Sequence, residues 1–274
     1  MKDETSAELE SWREMGRRFR ESLNPATFPV ALAFSNEQES LPPKTRRPLR
    51  DLKVRMAPCQ GAGMVRRYGW TLAFGREDQG CAIAAYTYGW EGIGDPKGAE
   101  GFLVRMNYVA DKRAAREIVR AWPVLEKGED LVVIYSPLER TRIRPDVVLF
   151  YVNPAQMMRL IHAATHRTGI PLSAGFSGRA ASCTEGVIGA YGDDAPKVVV
   201  PGNGDRIWAG CEDHEMVMAA PASRIEEILT GLEATHRAGV RYPVPTYLRY
   251  TPEVAFTLPL SDIFKPEELA KLER

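Results

Sequence analysis

The sequence carries no surplus charge of either sign: 36 Lys and Arg stand against 36 Asp and Glu in 274 residues. Without a net field, nothing global draws the chain onto nucleic acid or an anionic membrane, so neither is expected as a partner. Long hydrophobic runs are missing too. None approaches the roughly 18 apolar residues of a membrane span, and MKDETSAELESW has no apolar core of the kind a secretory leader needs. A cytoplasmic location is the resulting expectation. Cysteine is scarce, with four residues at 59, 81, 183 and 211 and no C-x-x-C spacing. In a reducing compartment such thiols are free, metal-bound or redox-active, not structural disulfides. The dinucleotide fingerprint G-x-G-x-x-G and the Walker lysine motif are absent, since Gly202-Asn203-Gly204 has no third glycine, which argues against nucleotide chemistry.

What is present is an ordinary globular balance, 44% hydrophobic and 26% charged residues, long enough for one large domain or two small ones. Leu9, Trp12, Met15, Phe19 and Leu23 recur at helical steps over residues 6–23. Phe28–Phe34, Trp70–Phe74, Asp130–Tyr135, Asp146–Val152, Lys197–Val200 and Met216–Met218 read as strands. Helices are expected after Gly80, over Lys112–Trp122, from the Asn153-Pro154 start to Gly169, and from a Ser223/Glu226 capping box to Gly239. The basic run around Arg46, Arg47 and Arg50 reads as a solvated loop. His162 and His166 fall opposite the apolar stripe of their helix and so face solvent rather than a metal. Pro243, Pro245, Pro252 and Pro259 mark an extended covering tail, with a short last helix over 266–272.

Chemistry concentrates between Phe176 and Pro221. There Cys183, in the first turn of a helix starting near Ser182, is placed for its thiolate to be favoured by the helix dipole. The strand at 197–200 stops at Gly202-Asn203-Gly204, a glycine turn that delivers Asp205 and Arg206, followed by Cys211, Asp213 and Glu215. The same order of parts occurs upstream: Cys59 with small residues, a strand, a Gly75 stop, then Asp78 and Cys81. This predicts an α+β (mixed α/β) fold of two duplicated halves in one compact unit. The halves would span residues 1–127 and 128–241, with the tail at 242–274, and a single compact domain overall is the other option.

These motifs together resemble the DUF169 family of bacterial and archaeal proteins. The resemblance rests on Cys59-Gln60, on Cys81 among small residues, and on Pro145-Asp146-Val147-Val148 with Asn153-Pro154-Ala155-Gln156. It rests further on Gly178-Arg179-Ala180 leading to Cys183-Thr184-Glu185, and on Asn203-Gly204-Asp205-Arg206 with Asp213 and Glu215. It implies recurring cysteines at 59, 81 and 183. A fourth, where this chain has Gly202, is replaced here, and Cys211 stands nine residues later.

Four functions remain open on this reading. A redox or metal enzyme would gather Cys59, Cys81, Cys183 and Cys211 around an iron–sulfur cluster or zinc. A metal-free thiol enzyme would use Cys183 as nucleophile, with Asp205, Glu185 and Arg206 binding or protonating a small polar substrate. A non-catalytic binder or accessory protein for a small polar or anionic ligand would use Arg179, Arg206 and the glycine turn at Gly202, Asn203 and Gly204, with Asp213 and Glu215. In the fourth reading the cysteines are dispersed in the core. Whether the chain forms an oligomer is left open.

Overall fold

The computed structural model describes residues 6–36, 41–90, 96–126 and 130–244. Contacts divide the chain into Met1–Pro243 and Val244–Arg274; the fold is that of the first unit, and the expected helix over 266–272 lies outside the described residues.

In chain order the elements are α1 (Ser6–Leu23), β1 (Val30–Ser35), α2 (Pro48–Leu52), α3 (Pro58–Tyr68), β2 (Leu72–Phe74), α4 (Ala82–Thr87), α5 (Pro96–Arg105), α6 (Lys112–Ala121), β3 (Val132–Pro137), β4 (Val147–Val152) and α7 (Pro154–Thr165). A π-helical segment, Ala181–Ile188, then runs into α8 (Gly189–Asp193), followed by β5 (Lys197–Val199), α9 (Asn203–Ala209), β6 (Met216–Pro221) and α10 (Ala222–Arg237). The fold is α+β, as expected. Its strands form one antiparallel sheet in the order β2-β3-β1-β4-β6-β5.

Alternation along the strands supplies two cores. Val147, Leu149 and Tyr151 of β4, with Val30 and Leu32 of β1, point to one face, where α3, α4 and the π-helical segment pack. Val148, Phe150 and Val152 point to the other, against Phe19 and Leu23 of α1, Met157 and Leu160 of α7, and Ile225 and Leu229 of α10. Period-two strands thus satisfy both layers, each buried large side chain contributing about 1.5–3 kcal/mol. A satellite cluster joins α4, α5 and α6 through Ile83, Leu103, Val119 and Trp122.

The strand order reads the same from either edge if β1, β2 and β3 are exchanged for β4, β5 and β6. Registers correspond as well: Val30 faces Pro137 as Val147 faces Pro221, and Leu72 faces Tyr135 as Lys197 faces Ala219. Strands from both sides of position 128 share this sheet, with β3 hydrogen-bonded between β2 and β1.

Three local expectations are corrected. The basic run is not uniformly solvated: Arg47 is buried and paired with Asp78 and Glu77, and Arg46 lies over the Trp70 ring at 3.7 Å. Ser223 does not cap α10, whose preceding residue is Pro221; its Oγ donates instead to Asp194 at 2.5 Å. Gly202-Asn203-Gly204 is not a positive-φ turn, because Gly202 has φ −76° and immediately precedes α9. Asn153 does cap α7, accepting the Gln156 N–H at 2.9 Å, and both His162 and His166 are exposed.

Candidate functional site

Three of the four cysteines open onto one cavity of about 500 Å³. Cys59 sits in the first turn of α3, behind Pro58, and Cys81 immediately precedes α4. Cys183 is carried by the π-helical segment, a conformation that often marks functional positions. Thr184 Oγ1 donates to Thr87 Oγ1 at 3.1 Å and so ties the π-helical segment to α4. Glycine sets the remaining wall. A Cβ on Gly63 of α3 would stand 2.5 Å from the Ala209 carbonyl oxygen, and one on Gly202 would collide with the Arg179 carbonyl. Only glycine therefore lets α9 close down on the thiol-bearing helix and on the 179 segment.

Asp205 lines this cavity and is 3% exposed. Its Oδ2 accepts the Gly202 N–H at 3.0 Å, and Oδ1 is buried next to the Ser182 hydroxyl and amide. Burial raises the Asp205 pKa, although Ser182 and the Gly202 amide pull the other way. Asp78 occupies the matching place after the other edge strand, where its Oδ2 accepts the Gly75 N–H at 3.0 Å. The difference is charge: Arg47 neutralises Asp78 at 2.7 Å, whereas no cation pairs with Asp205 among the described residues.

The thiols do not have the electrostatics expected of a helix start. Each is partly accessible through the cavity yet enclosed by protein, and burial is the main cause that pushes all three pKa values up. Asp205 and the other thiols reinforce the rise at Cys59 and Cys183. Backbone amides of Ile83 and Ala84 pull Cys81 down without overcoming it. Cys183 is thus a neutral thiol, and the expected dipole-stabilised thiolate is corrected by desolvation.

Arg105 and Arg179 bring positive charge to the wall. Arg179 donates through Nε and Nη2 to the Tyr108 carbonyl at 3.2 and 2.5 Å, and through Nη1 to the Ser177 carbonyl at 2.5 Å. Those partners are neutral, so its charge has no carboxylate opposite. Arg105 forms no ion pair among the described residues. Asn203 Nδ2 donates to the Tyr108 hydroxyl at 2.7 Å, and Phe102 and Trp208, the latter 48% exposed, add aromatic surface to the wall. Gln60, Arg105, Tyr108 and Trp208 were missed as site residues. For Gln60 the Cys59-Gln60 pair was a signal; Arg105 and Tyr108 lie in a segment with none.

Other expected site residues are elsewhere. Cys211, buried at 5% exposure, is absent from the cavity wall, and burial raises its thiol to about 12. Glu215 belongs to a buried bidentate pair with Arg66, at 2.6 and 2.8 Å. Arg206 donates to the Glu212 and Glu215 carbonyls, away from the thiols, and Asp213 is exposed on a turn. Glu185 lines a different cavity of about 420 Å³, where Oε1 accepts the Ser177 N–H at 3.0 Å. Among the described residues no group of three or more His, Cys, Asp or Glu is arranged to hold a metal ion, so the three thiols share a wall without forming a ligand set. No described helix is long and apolar enough to cross a membrane.

A family model, DUF169, described as uncharacterised ArCR, matches residues 18–231. The chain is 30% identical over 154 residues to an uncharacterized protein, MJ0308, of Methanocaldococcus jannaschii. That match spans 56% of this chain and 66% of the archaeal protein, just under two thirds of its length. No solved structure matches.

Proposed function

The chain belongs to the DUF169 family, and from that premise we propose that it binds a small anionic molecule in the thiol-lined cavity, at the junction of two similar halves. The observation that carries this reading is a wall bearing two guanidinium groups, Arg105 and Arg179, neither ion-paired among the described residues, around an interior of buried thiols and the Asp205 carboxyl, whose ionisation burial disfavours. An entering carboxylate, sulfonate or phosphate would supply the missing countercharge through charge-assisted hydrogen bonds worth about 1.5–3 kcal/mol each. Trp208 and Phe102 would receive the apolar part of the ligand, and the volume suits a small molecule. The mirrored strand order and the paired placements of Cys59 with Cys183 and Asp78 with Asp205 support the similar-halves reading. Support for nucleophilic thiol chemistry is weaker, because burial disfavours the Cys183 thiolate and no histidine lines the cavity to act as its base.

The test is calorimetric titration of the purified chain at low salt with acetate, methanesulfonate and inorganic phosphate. At least one is expected to bind, and Arg105→Ser, an exposed change, should weaken it about tenfold, the equivalent of one charge-assisted bond. Absence of binding by all three, or unchanged affinity in the variant, would overturn the reading.

A further inference from the structure

A second opening adjoins the thiol cavity. This cleft, of about 630 Å³, shares Gly80, Cys81 and Ala82 with it, so Cys81 stands in the partition between the two. The cleft is lined by Arg55, Arg76, Glu77 and Gln79. Glu77 is engaged by Arg47, whereas Arg55 is exposed and forms no ion pair among the described residues. Gln79 is 7% exposed. Its Oε1 accepts the Cys81 N–H at 2.6 Å, which sets the orientation of the amide, and its Nε2 is left buried without a partner. A buried donor without an acceptor is costly, and an oxygen arriving from the cleft would satisfy it.

We infer that the cleft is a second anion subsite, made by Arg55 and the Gln79 amide, and that the natural ligand is a dianion reaching past Cys81 with one acidic group in each compartment. This rests on the reading of the thiol cavity as an anion site. Two anionic ends explain why cations line both sides of the partition while the partition itself is formed by a glycine, a neutral thiol and an alanine. They also give Gln79 its acceptor. Cys81 then faces the middle of the ligand, where a thiol tolerates an apolar linker.

Linear dicarboxylates from succinate to suberate, titrated into the full chain beside monocarboxylates of equal length, test the inference. One dicarboxylate length is expected to bind about tenfold or more tightly than its monocarboxylate, as a second engaged site requires. Arg55→Ser should abolish that advantage and leave monocarboxylate affinity unchanged. Gln79→Glu, which keeps the acceptor for the Cys81 N–H but removes the donor, should do the same. Equal affinity of mono- and dicarboxylates at every length, or an advantage that survives Arg55→Ser, overturns the second subsite while Arg105-dependent monocarboxylate binding keeps the first. If no carboxylate binds in any form, the second subsite falls, while Arg105-dependent binding of methanesulfonate or phosphate keeps the first.

Discussion

Asp205 and Asp78 have the same local role, each accepting the N–H of the glycine three residues earlier, yet of the two only Asp78 is ion-paired with an arginine among the described residues. Burial therefore raises the Asp205 pKa. A carboxyl whose folded pKa lies above its unfolded value of about 3.9 contributes stability below that value and loses it as pH rises through the folded pKa. Asp205→Asn, which keeps an oxygen for the Gly202 N–H, should gain stability relative to the parent as pH is raised from 4 to 8, in urea unfolding. A variant that loses stability relative to the parent over that range would refute the assignment. The same burial holds Cys59, Cys81 and Cys183 neutral. Iodoacetamide at pH 8 should alkylate them at least about tenfold more slowly in the native protein than in urea, because only the thiolate reacts. Mass spectrometry of timed samples reads this out. At Glu215 burial opposes ionisation, but the Arg66 guanidinium and the Glu212 N–H outweigh it and lower its pKa. Glu215→Gln leaves Arg66 buried and uncompensated and should cost about 3–5 kcal/mol of unfolding free energy.

Helix placement is decided by close approaches that only glycine permits. α9 meets α3 where Gly63 faces the Ala209 carbonyl. Gly63→Val should therefore destabilise by about 1–3 kcal/mol and widen the thiol cavity, the first visible in denaturant midpoints and the second in faster alkylation of Cys59. Elements with strong periodic or capping signals were legible beforehand: α1 from its apolar spacing, α7 from Asn153-Pro154, β3 and β4 from their β-branched runs. The π-helical form of Ala181–Ile188 was not. It depends on the Glu185 N–H reaching the Ala180 carbonyl and on the Thr184 to Thr87 contact, partners with no local pattern. Nor was α9, whose Gly-Asn-Gly start reads locally as a turn and becomes helical where Asp205 satisfies the Gly202 amide.

In the whole molecule, β3 completes the sheet between β2 and β1, although a long stretch of chain separates it from both. Residues 1–127 alone would leave β1 and β2 unpaired, so chains cut at position 128 should each lack cooperative unfolding by circular dichroism and regain it only when mixed. The sequence by itself determined the α+β class, most strands and helices and the family resemblance, and marked Cys59, Cys81, Cys183 and Asp205 as candidates, because periodicity, caps and residue chemistry are local. Only the tertiary structure decided that those four meet in one cavity while Cys211, Glu185, Arg206 and Glu215 turn elsewhere, and that Arg105 joins them. Direction and burial depend on which distant segments pack together, and the same packing raises the pKa of the three thiols and of Asp205.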